Sequence, residues 1–542
     1  MSQRRLFLGC FLSLIATAFG FVVRGAILGD WAQEFDLDQT EKGAIIGAGL
    51  YPFAISIILF SLIVDRIGYG WAMVFAFLGH FTSALMTIFA KNYESLYFAT
   101  FLFALSNGVV EAVINPVVAT IYEKNKTHWL NILHAGWPGG LVLGGLLAIA
   151  ISYIPVDDLP GKVWQWQMAL VLIPTVGYGL LLLGQKFPVQ ERVAAGVSYL
   201  DMLKEFGAAS CLIVCFLLVA GLDQILQGLA GTSLSQLTDL NNLLNVPSEY
   251  EASATMLLYL VVALIPTVIF ALVVRTFGRP MFVFLLLVMF LLATTELGTD
   301  SWIADIMRSV LNNQNQGTLF LVYTSFIMFV LRFFAGPIVH RTSPLGLLAM
   351  SAAIATAGLF WLSNAGDAVG MLFLAATLYG FGKTFFWPTT LGVISEQYPR
   401  GGALMLNAIA GVGMLAVGTI GGPVIGSLQD QSFDQIMREQ EPGLHAQVIS
   451  EKTGLLGKYH ALDQVKMEQL PEEDQATVKE AVADSQQGTL ATIAILPAIM
   501  FVCYLILIAY FRSRGGYQAQ VLTGHAADDE KFTGGIKAPV EA

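Results

Sequence analysis

The chain has 542 residues, of which 56% are hydrophobic and only 12% charged, with a mean hydropathy of +0.67. Soluble domains carry about 25% charged residues and disordered chains are poor in apolar ones, so both classes are excluded and a polytopic membrane protein remains. The net charge of −11 speaks against nucleic acid as a partner and against an anchor for acidic lipid.

A membrane span needs about 20 mostly apolar residues. In chain order such runs lie at Leu6–Leu28, Gly43–Val64, Trp71–Ala90, Leu96–Tyr122, Trp129–Tyr153 and Trp164–Leu183. Gly207–Leu226 and Met256–Phe277 follow. The rest are Pro280–Leu297, Gly317–Val339, Leu345–Leu362, Gly370–Ile394, Ala403–Leu428 and Thr489–Phe511, which makes fourteen spans. Arg4, Arg5 and Ala16-Thr17-Ala18 resemble a secretory signal, but a cleavable one has an apolar region of about 7–15 residues. Here the apolar run continues to Leu28, so the segment reads as the first span. Cys10, Cys211, Cys215 and Cys503 sit inside apolar runs and read as small hydrophobes, not as disulfides or metal ligands.

Lys and Arg near the span ends set the orientation. Arg4, Arg5, Arg66, Lys124, Lys126, Lys186, Arg192, Lys204, Arg275, Arg279, Arg341, Arg400, Arg512 and Arg514 fall on one side. Asp30, Glu34, Asp36, Asp38, Asp157, Asp158, Glu249 and Glu251 fall on the other. Both termini are therefore expected in the cytoplasm, with the protein in a cell membrane of the bacterial inner-membrane kind. The sequon Asn125-Lys126-Thr127 then lies inside. Gln227–Ser253 reads as a polar outer loop. Gln429–Gly488 reads as an acidic outer insertion with short amphipathic helices at Ser432–Gln440 and Asp463–Gln469, broken by Pro442 and Pro471.

The fourth span carries Asn107-Gly108, Glu111 and Asn115-Pro116. The twelfth carries Tyr379-Gly380, Lys383 and Trp387-Pro388 at the same spacing, and the same offset lays Arg24 over Glu296. Asn131 and Asn407 each follow a Leu near the start of the next span. These matches imply a parallel repeat of six helices. Residues 1–186 form one half and 280–542 the other, while 187–279 hold a linker and two inserted spans expected on the flank, away from any cavity.

A charge at a helix centre costs about 2.5–3.5 kcal/mol, so Arg24, Glu111, Glu296, Arg332 and Lys383 must face a cavity or a partner. Asn107, Glu111 and Asn115 share one helix face, and Tyr379, Lys383 and Trp387 share another. His80 reads as a packed core residue. His134, near Asn131 and next to Trp137-Pro138, is a pocket candidate. Gly380-Phe381-Gly382-Lys383-Thr384 ends like a phosphate loop, but Thr377 replaces its first Gly and no strand precedes it.

Ser61-Leu62-Ile63-Val64-Asp65-Arg66-Ile67-Gly68 resembles the gating motif of the major facilitator superfamily. Gly336-Pro337-Ile338-Val339-His340-Arg341 is similar to its second copy, with His in place of Asp. The resemblance implies an all-α fold of two six-helix halves. It also implies gating by Asp65, Arg66, Gly68, Gly336 and Arg341, with Asp65 and Arg66 engaging neighbouring helices of the first half. Glu111, Asn115-Pro116, Leu130-Asn131 and Gly136 through Gly145 resemble the fucose-permease branch of sugar–proton symporters, which implies substrate and proton handling by Glu111. That branch's acidic residue in the first span has no counterpart, since Arg24 stands in the region. Gly418-x-x-x-Gly422-Pro423-x-x-Gly426 reads as close helix packing.

The expected function is secondary transport of a small polar solute, a sugar or sugar acid, by alternating access and with proton coupling as an accompanying option. Arg24, Arg332 and Lys383 would attract an anionic group, Trp137 and Trp387 would stack on the solute, and Glu111 and Glu296 would carry the proton. Arg24 is expected to pair with Glu111, and Glu296 with Lys383, in at least one state of the cycle. The alternatives are an exporter of amphipathic compounds and a membrane sensor read through 429–488. No nucleophile motif, metal cluster or phosphate loop points to an enzyme, and no cofactor is expected. The expected partners are the solute, a proton and the bilayer, around a monomer.

Overall fold

The computed structural model describes residues 3–520 and 522, apart from 38, 156–159, 240–245, 248, 249, 312, 313, 455 and 456. Asp38, Asp157, Asp158 and Glu249 thus lie outside the described residues. Lipid offers no hydrogen-bond partner to a peptide group, so long apolar runs must satisfy themselves as helices. The described residues hold thirteen helices long and apolar enough to span a membrane. A further pair, Leu319–Arg332 and Ala335–Thr342, is bent by 64° and makes a fourteenth span if counted as one, span 10 in chain order.

Two bundles result. In the first, span 1 (Gln3–Glu34) packs on spans 5 (Glu123–Ser152) and 6 (Val163–Leu182), while span 4 (Tyr93–Ile121) packs on spans 2 (Glu41–Ile67) and 3 (Tyr69–Ile88). In the second, span 11 (Pro344–Ser363) packs on spans 12 (Val369–Gln397) and 14 (Glu472–Arg512), and span 9 (Pro280–Ile303) packs on spans 13 (Pro399–Gln440) and 14. The bundles meet along two seams, span 2 against span 13 and span 5 against spans 10 and 12. At the first seam the Tyr51 ring lies against Gly418 and its hydroxyl donates to the Gly418 carbonyl (3.2 Å).

Span 7 (Tyr199–Ala230) lies over the span 2–span 13 seam, and span 8 (Glu251–Val274) packs chiefly on span 7. The chain enters and leaves this pair at one crossing. Ala208 and Ala209 donate backbone bonds to the Thr276 and Phe277 carbonyls (3.0 and 3.2 Å). A Cβ on Gly207 would stand 2.1 Å from Gly278 Cα, and Gly207 has φ +70° and ψ 171°, a conformation confined to glycine.

The face that carries the termini is closed. Lys126 donates to Glu191 (2.5 Å) and to the Ser395 carbonyl, and Thr127 donates through its amide and hydroxyl to Glu396. Tyr517, beyond the last span, donates to the other oxygen of Glu396 (2.8 Å), and its burial beside that carboxylate holds the phenol well above its usual range. Asp65 and Arg66 depart from expectation. Asp65 accepts from Arg192 (2.7 Å) in the linker, and the Arg66 guanidinium lies 4.6 Å over the Tyr199 ring at the start of span 7. Both motif residues stand at the end of their span, where the linker crossing that end is the nearest source of partners. Gly68 turns the chain with φ +85°, Gly336 abuts the His128 ring, and Arg341 is exposed.

On the opposite face span 13 runs on to Gln440, so Ser432–Gln440 is the end of a long helix and not a separate short one. A hairpin that the sequence did not announce follows, β1 (Ile449–Gly454) antiparallel to β2 (Gly457–Leu462), with Ile449 opposite Leu462. Asp463 caps the expected short helix, observed at Gln464–Glu468. Phe433, Met437, Val448 and Val478 close a small core of its own, separate from the membrane bundles.

The crossing at Gly207 yields a direct test. Gly184 shares φ +70° but has open space around it, so Gly184→Ala should cost only backbone strain, about 1–3 kcal/mol. Gly207→Ala adds a backbone clash and should lower the melting temperature clearly further. Equal melting temperatures for the two variants would show that the crossing is not a constraint.

Candidate functional site

A narrow cavity with about 30 Å3 of free volume for water-sized molecules lies between the bundles. Phe53 and Ile57 of span 2, Glu111 of span 4, and His134 and Trp137 of span 5 wall it on one side. Glu296 and Leu297 of span 9, Arg332 of span 10, Trp387 of span 12 and Met414 of span 13 wall it on the other. Neither inserted span contributes to this wall.

A chain of hydrogen bonds joins the two carboxylates. Asn115 Nδ2 donates to Glu111 Oε2 (2.7 Å), and His134 Nε2 donates to Asn115 Oδ1 (2.9 Å). The His134 carbonyl accepts from Arg332 (2.5 Å), whose guanidinium also donates to Glu296 Oε1 (3.0 Å) and, through Nε, to the Thr384 carbonyl (2.8 Å). The Trp387 amide closes the chain on Glu296 Oε2 (3.2 Å). Arg332 is 1% exposed, so each of these acceptors replaces water that a buried guanidinium would otherwise lack.

The two carbonyls are available for a local reason. Proline has no N–H, so the carbonyl four residues before it loses its helical partner. Pro138 frees the His134 carbonyl and Pro388 frees that of Thr384, the two that Arg332 binds. The helices break accordingly, span 5 at Ala135 and span 12 at Thr384-Phe385. A third proline repeats the pattern: Pro116 frees the Ala112 carbonyl, which accepts from Asn407 Nδ2 of span 13 (2.9 Å). Three proline-freed carbonyls are thus bound by side chains from the opposite bundle or from a neighbouring helix of the same bundle.

Of the residues singled out in the sequence, Glu111, His134, Trp137, Glu296, Arg332 and Trp387 line the cavity. Asn115 stands behind the wall and links two of them. Asn131 donates across the second seam to Thr389 (3.1 Å), and Tyr379 donates to the Thr295 carbonyl (2.6 Å). Asn107 Oδ1 accepts from His80, which also bonds Tyr178, while Asn107 Nδ2 is buried with no partner among the described residues. Phe53, Ile57, Leu297 and Met414 were not singled out, because an apolar residue in an apolar span carries no distinguishing signal.

The expected ion pairs are not those of this conformation. Glu296 pairs with Arg332, and Lys383 pairs with Asp300. Arg24 meets neither Glu111 nor any other carboxylate among the described residues; it donates to Ser83 (2.8 Å) and Thr87 (3.3 Å) and lies 3.9 Å over the Phe103 ring. For Glu296 and Lys383 the difference arises in span 9. A π turn at Thr294–Gly298 widens the helix by a residue, so Glu296 and Asp300 present to two different cations. Asp300 escaped notice because it sits beyond the apolar run, at its polar end.

Removing one partner of a buried pair strands the other, at about 3–5 kcal/mol, whereas removing both can be nearly neutral. Glu296→Gln and Arg332→Gln should each lower stability by about that much, and the double variant should recover most of the loss. Additive losses in a double-mutant cycle read by melting temperature would dissolve the pair.

Residues 7–423 match the family profile described as the Major Facilitator Superfamily. The gentisate transporter of Corynebacterium glutamicum is 23% identical over 183 residues, which cover 34% of this chain and 40% of that one. The gallate transporter of Pseudomonas putida is 25% identical over 140 residues, 26% of this chain and 31% of that one. Each match therefore spans less than half of the relative. A crystal structure of the E. coli fucose:proton symporter is similar in fold, with a TM-score of 0.55 at 14% identity over 92% of this chain and 98% of that one. Thirteen or, with the bent pair, fourteen spans among the described residues agree with the family match, and the chain belongs to the Major Facilitator Superfamily as a multi-pass membrane protein.

Proposed function

We propose that this transporter moves a small carboxylate with a flat ring, of the hydroxybenzoate kind, together with a proton. The observation that carries the reading is Arg332, a buried guanidinium on the wall of a mostly apolar and aromatic cavity. Its three bonds leave further N–H donors for a carboxylate, which a guanidinium binds in a bidentate fork. Phe53, Trp137 and Trp387 supply ring faces, and Glu111 and His134 supply the few polar contacts that ring hydroxyls need. The partial relatives fit, since gentisate and gallate are both hydroxybenzoates. A sugar or sugar acid fits less well, because a ring of hydroxyls would meet Ile57, Leu297 and Met414 and leave donors unpaired.

Coupling follows from charge. An incoming carboxylate competes with Glu296 for Arg332, and the released Glu296 takes up a proton; one anion and one proton then cross together with no net charge. Glu111, bonded by Asn115 and with no cation paired to it among the described residues, is the second proton carrier. The halves 1–186 and 280–542 rock about the cavity, with 187–279 riding on their flank and the termini in the cytoplasm. Opening toward the termini must break the Asp65–Arg192, Lys126–Glu191 and Thr127–Glu396 contacts.

The test is uptake into proteoliposomes under an imposed pH gradient. Gentisate uptake should rise when the outside is acidified and should not respond to membrane potential. Arg332→Gln should weaken binding at least about tenfold, as expected for the loss of a charged hydrogen-bond partner worth ~1.5–3 kcal/mol. Preference for glucuronate or an uncharged sugar over gentisate would overturn the substrate class, and potential-driven uptake would overturn the coupling.

A further inference from the structure

Arg24 is a buried cation for which no carboxylate is provided. It is 7% exposed, and among the described residues no ion pair reaches it. It lines a second cavity, of about 100 Å3, between spans 1, 2 and 4 and lined by no carboxylate. Three buried polar atoms on lining residues have no hydrogen-bond partner: Arg24 Nε, Trp31 Nε1 and Thr100 Oγ1. Trp31 is 0% and Thr100 3% exposed, so solvent does not serve them at the surface. All three can donate, and two can only donate. Unpaired donors on the residues that line a cavity, beside a guanidinium with no carboxylate, are complementary to an anion.

The second cavity lies close to the central one. Phe21 lines the Arg24 cavity, and its ring packs 5.9 Å from that of Trp137, which lines the Arg332 cavity. Arg24 stands ten residues, about 15 Å of helix, from the end of span 1 on the face opposite the termini. That face is the one from which the central cavity must be reached while the contacts on the termini side are closed.

We infer that the Arg24 cavity is a second anion site, which holds the transported carboxylate before it passes the Phe21–Trp137 wall to Arg332. That the site takes an anion stands on the geometry of Arg24; that the anion is the cargo rests on the function proposed above. Chloride shares the required charge and is the competing occupant.

The test is the melting temperature of the purified full chain in sulfate buffer at constant ionic strength, titrated separately with sodium gentisate and with sodium chloride. The Arg332→Gln/Glu296→Gln double variant, whose central site is disabled, is compared with and without Arg24→Gln. Gentisate should raise the melting temperature of the double variant saturably, by about 2 °C at ~100-fold excess over Kd, and Arg24→Gln should abolish the rise. Without gentisate or chloride, Arg24→Gln alone should melt no lower than the wild type, because it removes an uncompensated charge. Trp31→Phe, which keeps a ring and loses the N–H, should weaken the gentisate midpoint several-fold. A gentisate response that the wild type shows and the double variant lacks overturns this inference and leaves the proposed function standing. A response that survives Arg24→Gln overturns it as well, and a response to chloride alone overturns the assignment to a carboxylate. An Arg24-dependent gentisate response in a protein that transports no gentisate would retain the anion site and sink the functional reading.

Discussion

A guanidinium buried between two helix bundles must find acceptors that stay in place, and the centre of this transporter is arranged around that need. Arg332 reaches a carboxylate and two main-chain carbonyls. The carbonyls exist as acceptors only because Pro138 and Pro388 withhold the helical donor four residues on. Main-chain oxygens are fixed by their helices, so the cation is held by spans 5, 9 and 12 together and belongs to neither bundle alone. The arrangement makes the cavity sensitive to any change in how the bundles meet.

The same device appears at the Ala112 carbonyl, freed by Pro116 and bound by Asn407 of the other bundle. Asn131 makes the reverse link to Thr389. The two asparagines therefore tie each half to the other at corresponding depth, close to the end where Thr127 and Lys126 meet Glu396 and Ser395.

The linker to the inserted spans packs on the end of span 2 that carries Asp65 and Arg66. Arg192 and Tyr199, which flank the entry to span 7, take Asp65 and Arg66 respectively. Asp65 and Arg192 are nearly inaccessible, so separating them has the cost of stranding two charges unless water enters with the motion. The linker thus occupies the place that a neighbouring helix was expected to fill.

Hydropathy and charge in the sequence were enough to determine the membrane class, the spans and the charged residues that lie buried among them. Transfer of a side chain into lipid is a local cost that adds along the chain, so a one-dimensional reading recovers it. The matched Gly, charge and Pro of spans 4 and 12 were legible for the same reason, and six of the residues chosen from them and their neighbours line the cavity. Which cation meets which carboxylate was decided only by tertiary structure. Depth specifies a layer, but partnership depends on how each helix is turned about its axis, and the π turn at Thr294–Gly298 resets that rotation for Glu296 and Asp300. The isolation of Arg24, the linker partner of Asp65 and the hairpin at Ile449–Leu462 were closed to the sequence for a related reason, since each depends on segments brought together from afar by packing.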